Sequence, residues 1–184
     1  MTSEPLHRIS PEEYRRLVEA GVFDEDARVE LIDGLLVDMS PKTRAHENAV
    51  AWLMRCLVLS VDPGHYEVRV GAPLTIGTSE PEPDLAVIPN FAPRPHHPAT
   101  AALVIEVVVS SLTRDLTDKP PIYADAGVPI YWAVDVERQR AVTHTSPENG
   151  RYSKVDVVAG EGELLAPELG LRISLPELFA AAAR

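Results

Sequence analysis

Six apolar side chains and a single carboxylate make up Leu103-Val104-Ile105-Glu106-Val107-Val108-Val109. A run so rich in β-branched residues predicts a strand buried on both faces, inside a sheet covered by helices. A carboxylate in that setting is expensive unless a metal, a cation or hydrogen bonds compensate it. Whatever fold forms must therefore bring a partner to Glu106.

Extended geometry puts Val104, Glu106 and Val108 on one face. Glu82-Pro83-Asp84-Leu85-Ala86-Val87-Ile88 reads as a shorter strand that opens on an acid. Carboxylates on neighbouring strands lie roughly 5–8 Å apart, depending on register. That spacing suits Mg²⁺ or Mn²⁺, which take a few carboxylates plus water. Residues 110–119 read as a polar loop, and Lys119 at its end can bring an ammonium to the same place. A purely structural outcome uses the same residues: Glu106 ion-paired with Arg114 or Lys119.

The remaining elements follow in order. Ser10-Pro11-Glu12-Glu13 is a helix start, with Tyr14, Leu17 and Val18 as its apolar stripe and Gly21 as its stop. Asp33-Gly34 between two short apolar runs, 28–32 and 35–39, signals a β-hairpin. Residues 43–60 show helical periodicity, with His46 and Glu47 in the first turns. Short strands are expected at 66–70 and 74–76, and a proline-rich loop carrying His96-His97, read as solvent-facing, at 89–99. Beyond Lys119, a short helix opens on Pro120-Pro121 and closes at Gly127. Strands follow at 129–135, 140–145 and 151–158, and Ser174-Leu175-Pro176-Glu177 caps a terminal helix through Phe179. Tyr131 and Trp132 are adjacent strand residues, so they face opposite sides and read as core packing. Asp115 reads as a loop acid that pairs with Arg114 or caps a helix. The pattern is that of one α/β (α+β) domain over residues 1–184: a mixed sheet flanked by helices, with extra hairpins.

Composition narrows the function classes. A formal net charge of −11 argues against tight, sequence-independent nucleic-acid binding by a monomer. It leaves room for an enzyme whose acids hold a divalent cation, because the ion reverses the local charge. The single Cys56 rules out an intrachain disulfide and a multi-cysteine zinc site. It sits in an apolar helical pattern, as a buried structural thiol would. No leader peptide or membrane-length apolar run is visible, and with the lone thiol this gives the expectation of a cytoplasmic location.

Several blocks, in their order and spacing, resemble the Uma2 family (DUF820), a branch of the PD-(D/E)XK restriction-endonuclease-like superfamily. They are Val29-Glu30-Leu31-Ile32-Asp33-Gly34; Met39-Ser40-Pro41 followed by His46; Glu82-Pro83-Asp84-Leu85-Ala86-Val87; and Leu103-Val104-Ile105-Glu106-Val107. Thr113-Arg114-Asp115 then precedes Lys119, Tyr123, Ala126-Gly127-Val128, Tyr131-Trp132 and Asp135. The resemblance runs from about residue 9 to residue 178.

It implies a restriction-endonuclease-like fold and a Mg²⁺- or Mn²⁺-dependent nuclease that hydrolyses phosphodiester bonds of DNA. Asp84 and Glu106 match the two catalytic acids. Glu30 resembles an additional metal-holding acid, and His46, Asp115 and Arg114 are accessory candidates. The superfamily's usual lysine position, two residues beyond the second acid, holds Val108 here. Lys119 matches a lysine that has moved to the next helix, where a long flexible stem can reach the same space. The loop after the strand also departs from relatives, with Val109-Ser110-Ser111-Leu112 where Ser-Pro-Ser-Thr is common. A homodimer is expected, because many such nucleases act as pairs and apolar edge strands need cover. A catalytically inactive binding or regulatory protein on the same fold is the alternative, and an unrelated hydrolase using the same acids is a third reading.

Overall fold

A computed structural model describes residues 6–24, 27–90, 97–108 and 112–184, without the side chains of residues 112–114. In chain order the elements are α1 (Pro11–Glu19), β1 (Val29–Ile32), β2 (Leu35–Asp38), α2 (Arg44–Ser60), β3 (Tyr66–Val70), β4 (Leu85–Pro89) and β5 (Leu103–Val108). Then come α3 (Leu112–Thr117), α4 (Lys119–Asp125), β6 (Ile130–Asp135), β7 (Arg140–Glu148), β8 (Arg151–Ala159), β9 (Glu163–Ala166), β10 (Leu171–Ser174) and α5 (Leu175–Ala182).

Local chemistry sets many of these boundaries. Ser10 and Glu13 close a reciprocal capping box at α1, Thr43 accepts a bond from the His46 backbone at α2, and Ser174 caps α5. Asp33 and Gly34 both have positive φ, 48° and 74°, the geometry of a tight hairpin turn. A Cβ at Gly34 would stand 2.7 Å from the Arg8 Cβ, so the turn also needs glycine for space.

β3 to β8 form one mixed sheet in sequential order, with β5 and β6 its parallel pair and the other neighbours antiparallel. A parallel pair requires its connection to carry the chain back along the sheet. α3 and α4 are that connection, so Lys119 is laid across the sheet rather than left in a hairpin tip.

The sheet's two faces have separate cores. On one, Leu85, Val87, Leu103, Ile105, Val107, Trp132 and Val134 pack with Leu53 and Leu57 of α2, Leu175 and Leu178 of α5, and the β9–β10 hairpin. On the other, Ala86, Ile88, Val104, Val108, Tyr131 and Ala133 pack with Ile32 of β1 and with Ile122 and Tyr123 of α4. The alternation that puts Val104 and Val108 on this second face puts Glu106 there too. Tyr131 and Trp132 fall on opposite faces, as adjacent strand residues must.

Two expectations are corrected, and one hairpin was not foreseen. Residues 74–76 do not form a strand: Ile76 makes an isolated bridge to Ser79, and Leu74 and Ile76 fill the second core as irregular chain. Residues 112–117 of the expected polar loop are helical. β9 and β10, too short to stand out by periodicity, form a hairpin around a 3₁₀ turn at Pro167–Leu169. α1 has no buried residue, and Val18 of its apolar stripe is exposed.

Candidate active site

The β4–β5 register sets Leu85 opposite Ile105, which brings Asp84 beside Glu106. Two hydrogen bonds tie them: the Val107 amide donates to Asp84 Oδ2 at 2.8 Å, and the Asp84 amide donates to Glu106 Oε2 at 3.4 Å. The backbone of one strand thus orients the acid of the other. From α2, His46 sets Nε2 2.9 Å from Asp84 Oδ1. His46 is itself buried, so it is more than a residue on a helix surface.

Lys119 points inward. It is 4% exposed, although it opens α4 immediately before Pro120 and Pro121. Both prolines fall in the first turn, where missing amides cost nothing, and the lysine's long stem turns into the sheet. Its Nζ lies 2.8 Å from Glu106 Oε1, 3.3 Å from Glu30 Oε2 and 3.4 Å from Asp115 Oδ1. Asp115 is corrected here: it is a buried residue of α3 facing the lysine, not a loop acid. The Arg114 side chain and His96 lie outside the described residues. His97 sits 3.5 Å from Glu80 Oε1, so it is not simply solvent-facing.

Several contributors escaped the sequence reading. The Tyr123 hydroxyl donates to Glu106 Oε1 at 3.0 Å, Tyr131 donates to the Asp115 carbonyl at 2.6 Å, and Tyr152 donates to the Val128 carbonyl at 2.9 Å. Two of these hydroxyls tie α3 and α4 to the sheet, and the third holds the chain just after α4. Asp115, Lys119 and Tyr123 recur every four residues, a helical signal that a polar-loop reading hides. Arg28 and Lys42, with Glu82, line the same cleft.

Glu106 is pushed up to about 8, first by burial, with Asp115, Asp84 and Glu30 adding to the rise and Lys119 opposing it. Burial alone would depress Lys119. Glu106, Glu30 and Asp115 more than reverse this, and the ammonium is held charged. Burial also raises Glu82, against the pull of Lys42 and Arg28.

The cleft above these groups holds about 50 Å³ of space. That admits a few waters or a hydrated ion. Its lining sets Glu30, Glu82, Asp84, Glu106 and Asp115 against Arg28, Lys42 and Lys119, an excess of negative charge. Among the described residues, no three His, Cys, Asp or Glu side chains form a group that could hold a metal ion by themselves. A closed zinc-type cage is not what these residues build. Paired Asp84 and Glu106 beside a small, acid-rich cleft instead fit a hard cation of the Mg²⁺ type, which takes one or two carboxylates and keeps its waters.

A family model, Uma2, described as "putative restriction endonuclease", matches residues 11–177. A solved structure described as "a putative nuclease belonging to DUF820", from Anabaena variabilis ATCC 29413, superposes with a TM-score of 0.78 at 16% identity, covering 95% of this chain and 99% of that one. No curated protein matches significantly. Among the described residues no helix is long and apolar enough to cross a membrane.

Proposed function

The chain belongs to the Uma2 family, and from that premise we propose that it is a metal-dependent endonuclease that hydrolyses DNA phosphodiesters, with Asp84, Glu106 and Lys119 at its centre. The observation that carries this reading is the convergence of those three residues, from the start of β4, the middle of β5 and the start of α4, on one cleft. Nothing in the packing of a sheet requires two acids and a lysine to share a buried corner, and burying them is costly.

Asp84 and Glu106 would hold Mg²⁺ or Mn²⁺, with Glu30 as an additional acid. A divalent ion there would polarise the phosphoryl oxygen and supply an activated water at neutral pH. The chain's own groups do the rest. The Val107 amide and His46 fix both oxygens of Asp84. Tyr123 and Lys119 fix Glu106 Oε1. The Lys119 ammonium offers positive charge where negative charge grows on the phosphoryl group. Arg28 and Lys42 line the cleft and offset its acids against the approach of a polyanion. The mechanism uses no covalent enzyme intermediate.

One observation favours a second reading. Lys119 has three donors and already faces three carboxylates. A lysine so engaged would suit a non-catalytic member of the fold that binds or regulates. Cleavage of DNA with Mg²⁺ or Mn²⁺ separates the two readings. The enzyme reading expects activity that chelation abolishes and that Asp84→Ala and Glu106→Gln each lower at least about 100-fold. Equal activity in all three proteins would reject it. Manganese uptake by calorimetry, absent in Asp84→Ala, is the readout independent of turnover.

A further inference from the structure

We propose that β8 is a self-association edge, through which two copies of this chain pair antiparallel about a two-fold axis at Val155 and join their sheets. The inference is independent of the nuclease reading and concerns a different surface.

β8 is the last strand of the six-stranded sheet, paired with β7 on one side and with no other strand among the described residues on the other. Edge strands in natural proteins are kept short, carry charged side chains, or are broken by proline or a bulge, because unpaired amides and carbonyls recruit other strands. The central charges of β8, Lys154 and Asp156, are of opposite sign, so a second copy can pair with them. β8 is nine residues long and contains neither proline nor glycine. Val155 and Val157 are 53% and 63% exposed, although Val155 lies opposite buried His144 and Val157 opposite buried Val142. The opposite edge, β3, is five residues long. Of the two outer strands β8 is therefore the longer, and it exposes two valines.

Charge selects the register. In a two-fold antiparallel pairing, residues of like parity meet across the axis. An axis at Lys154 would set lysine against lysine, and one at Asp156 would set aspartate against aspartate. Like charges directly opposite are destabilising. An axis at Val155 sets Lys154 against Asp156 twice, Val155 against Val155, and Ser153 against Val157. It also overlaps the whole strand, because Val155 is the midpoint of Arg151–Ala159. Lys154 and Asp156 are both more than half exposed and 3.5 Å apart within the strand, so two copies would assemble a four-charge alternating cluster.

The test is sedimentation of the full chain, without metal or DNA, in about 0.15 M salt, where the long-range repulsion of two acidic chains is screened beyond roughly 8 Å. The expected result is a monomer–dimer equilibrium with a dissociation constant on the order of 10⁻⁵ M, weak because one strand edge is a small interface. Lys154→Glu and Asp156→Lys should each weaken it about tenfold or more, because each turns two attractive cross-axis pairs repulsive. The double exchange, Lys154→Glu with Asp156→Lys, should restore it, and restoration shows that the single variants had not simply misfolded. A wild-type monomer at high micromolar concentration overturns the proposal. So does a dimer indifferent to both single exchanges, or a double variant that fails to recover.

Discussion

Replacing Lys119 by Met removes a cation but little volume. Glu30, Glu106 and Asp115, all 5% exposed or less, then face one another without it. Removing one partner from a buried ion pair costs roughly 3–5 kcal/mol, because the remaining charge stays desolvated. Three acids do not triple that figure, since carboxyls left in such a place take up protons instead of staying ionised. Glu106 is already pushed up to about 8 with the lysine present, so it is the first to neutralise. A loss of about 3–5 kcal/mol at pH 7 is a large fraction of an ordinary domain's stability and corresponds to roughly 6–20 °C in melting temperature. Urea unfolding in chelator, followed by circular dichroism, measures it. Two further readings test the cause. The deficit should shrink at pH 5, where the acids protonate more readily, and millimolar Mg²⁺ or Mn²⁺ should raise the variant's melting temperature more than the wild type's. A loss below about 1 kcal/mol, or one indifferent to pH, would refute the geometry, since exposed pairs are worth no more than that. If the variant does not fold, Lys119→Arg keeps the charge, and Asp115→Asn removes one acid while sparing the lysine's other partners.

Other expectations follow from the same contacts. Glu106 has a folded pKa of about 8 against an ordinary 4.5, so its contribution to stability is complete below about pH 4.5 and is lost as pH rises through 8. Glu106→Gln removes that titration, and the unfolding free energy of wild type should fall relative to the variant between pH 5 and 8. A constant difference across that range would mean that Glu106 is not the titrating group. Tyr123→Phe deletes the hydroxyl on Glu106 Oε1 and should cost about 1–2 kcal/mol. In a double-mutant cycle with Glu106→Gln the losses should not add. Gly34→Ala strains a positive φ and drives a Cβ toward Arg8, so it should destabilise by at least about 1 kcal/mol in thermal melts.

What the sequence disclosed depends on how locally each feature is encoded. Asp33-Gly34 announces its hairpin because a two-residue turn is settled by those two residues. Glu106 announces itself because an acid inside an apolar β-branched run is costly wherever the strand lies. Its neighbour Asp84 was legible for a related reason, as it opens the strand that precedes β5 in the chain and pairs with it. The direction of Lys119 was not legible. It follows from β5 and β6 running parallel, which forces 112–125 over the sheet, and no window of sequence around Lys119 contains that fact. Asp115 was misread because Leu112 to Thr117 carries too few apolar residues to show a helical stripe, although Asp115, Lys119 and Tyr123 recur every four positions. Residues 74–76 alternate like a strand, yet their side chains are needed in the second core and their backbone finds no ladder.

A chain can thus advertise that a burial cost exists without advertising what offsets it. The cost is written in the few residues around Glu106, whereas the compensation comes from the Asp84 amide, Lys119 and Tyr123, between 13 and 22 positions away. That asymmetry also says where substitutions should couple. Changes at Lys119, Asp115 or Tyr123 should be felt through Glu106 and depend on what stands there. Changes confined to the β9–β10 hairpin, which packs into the other core, should add independently to them.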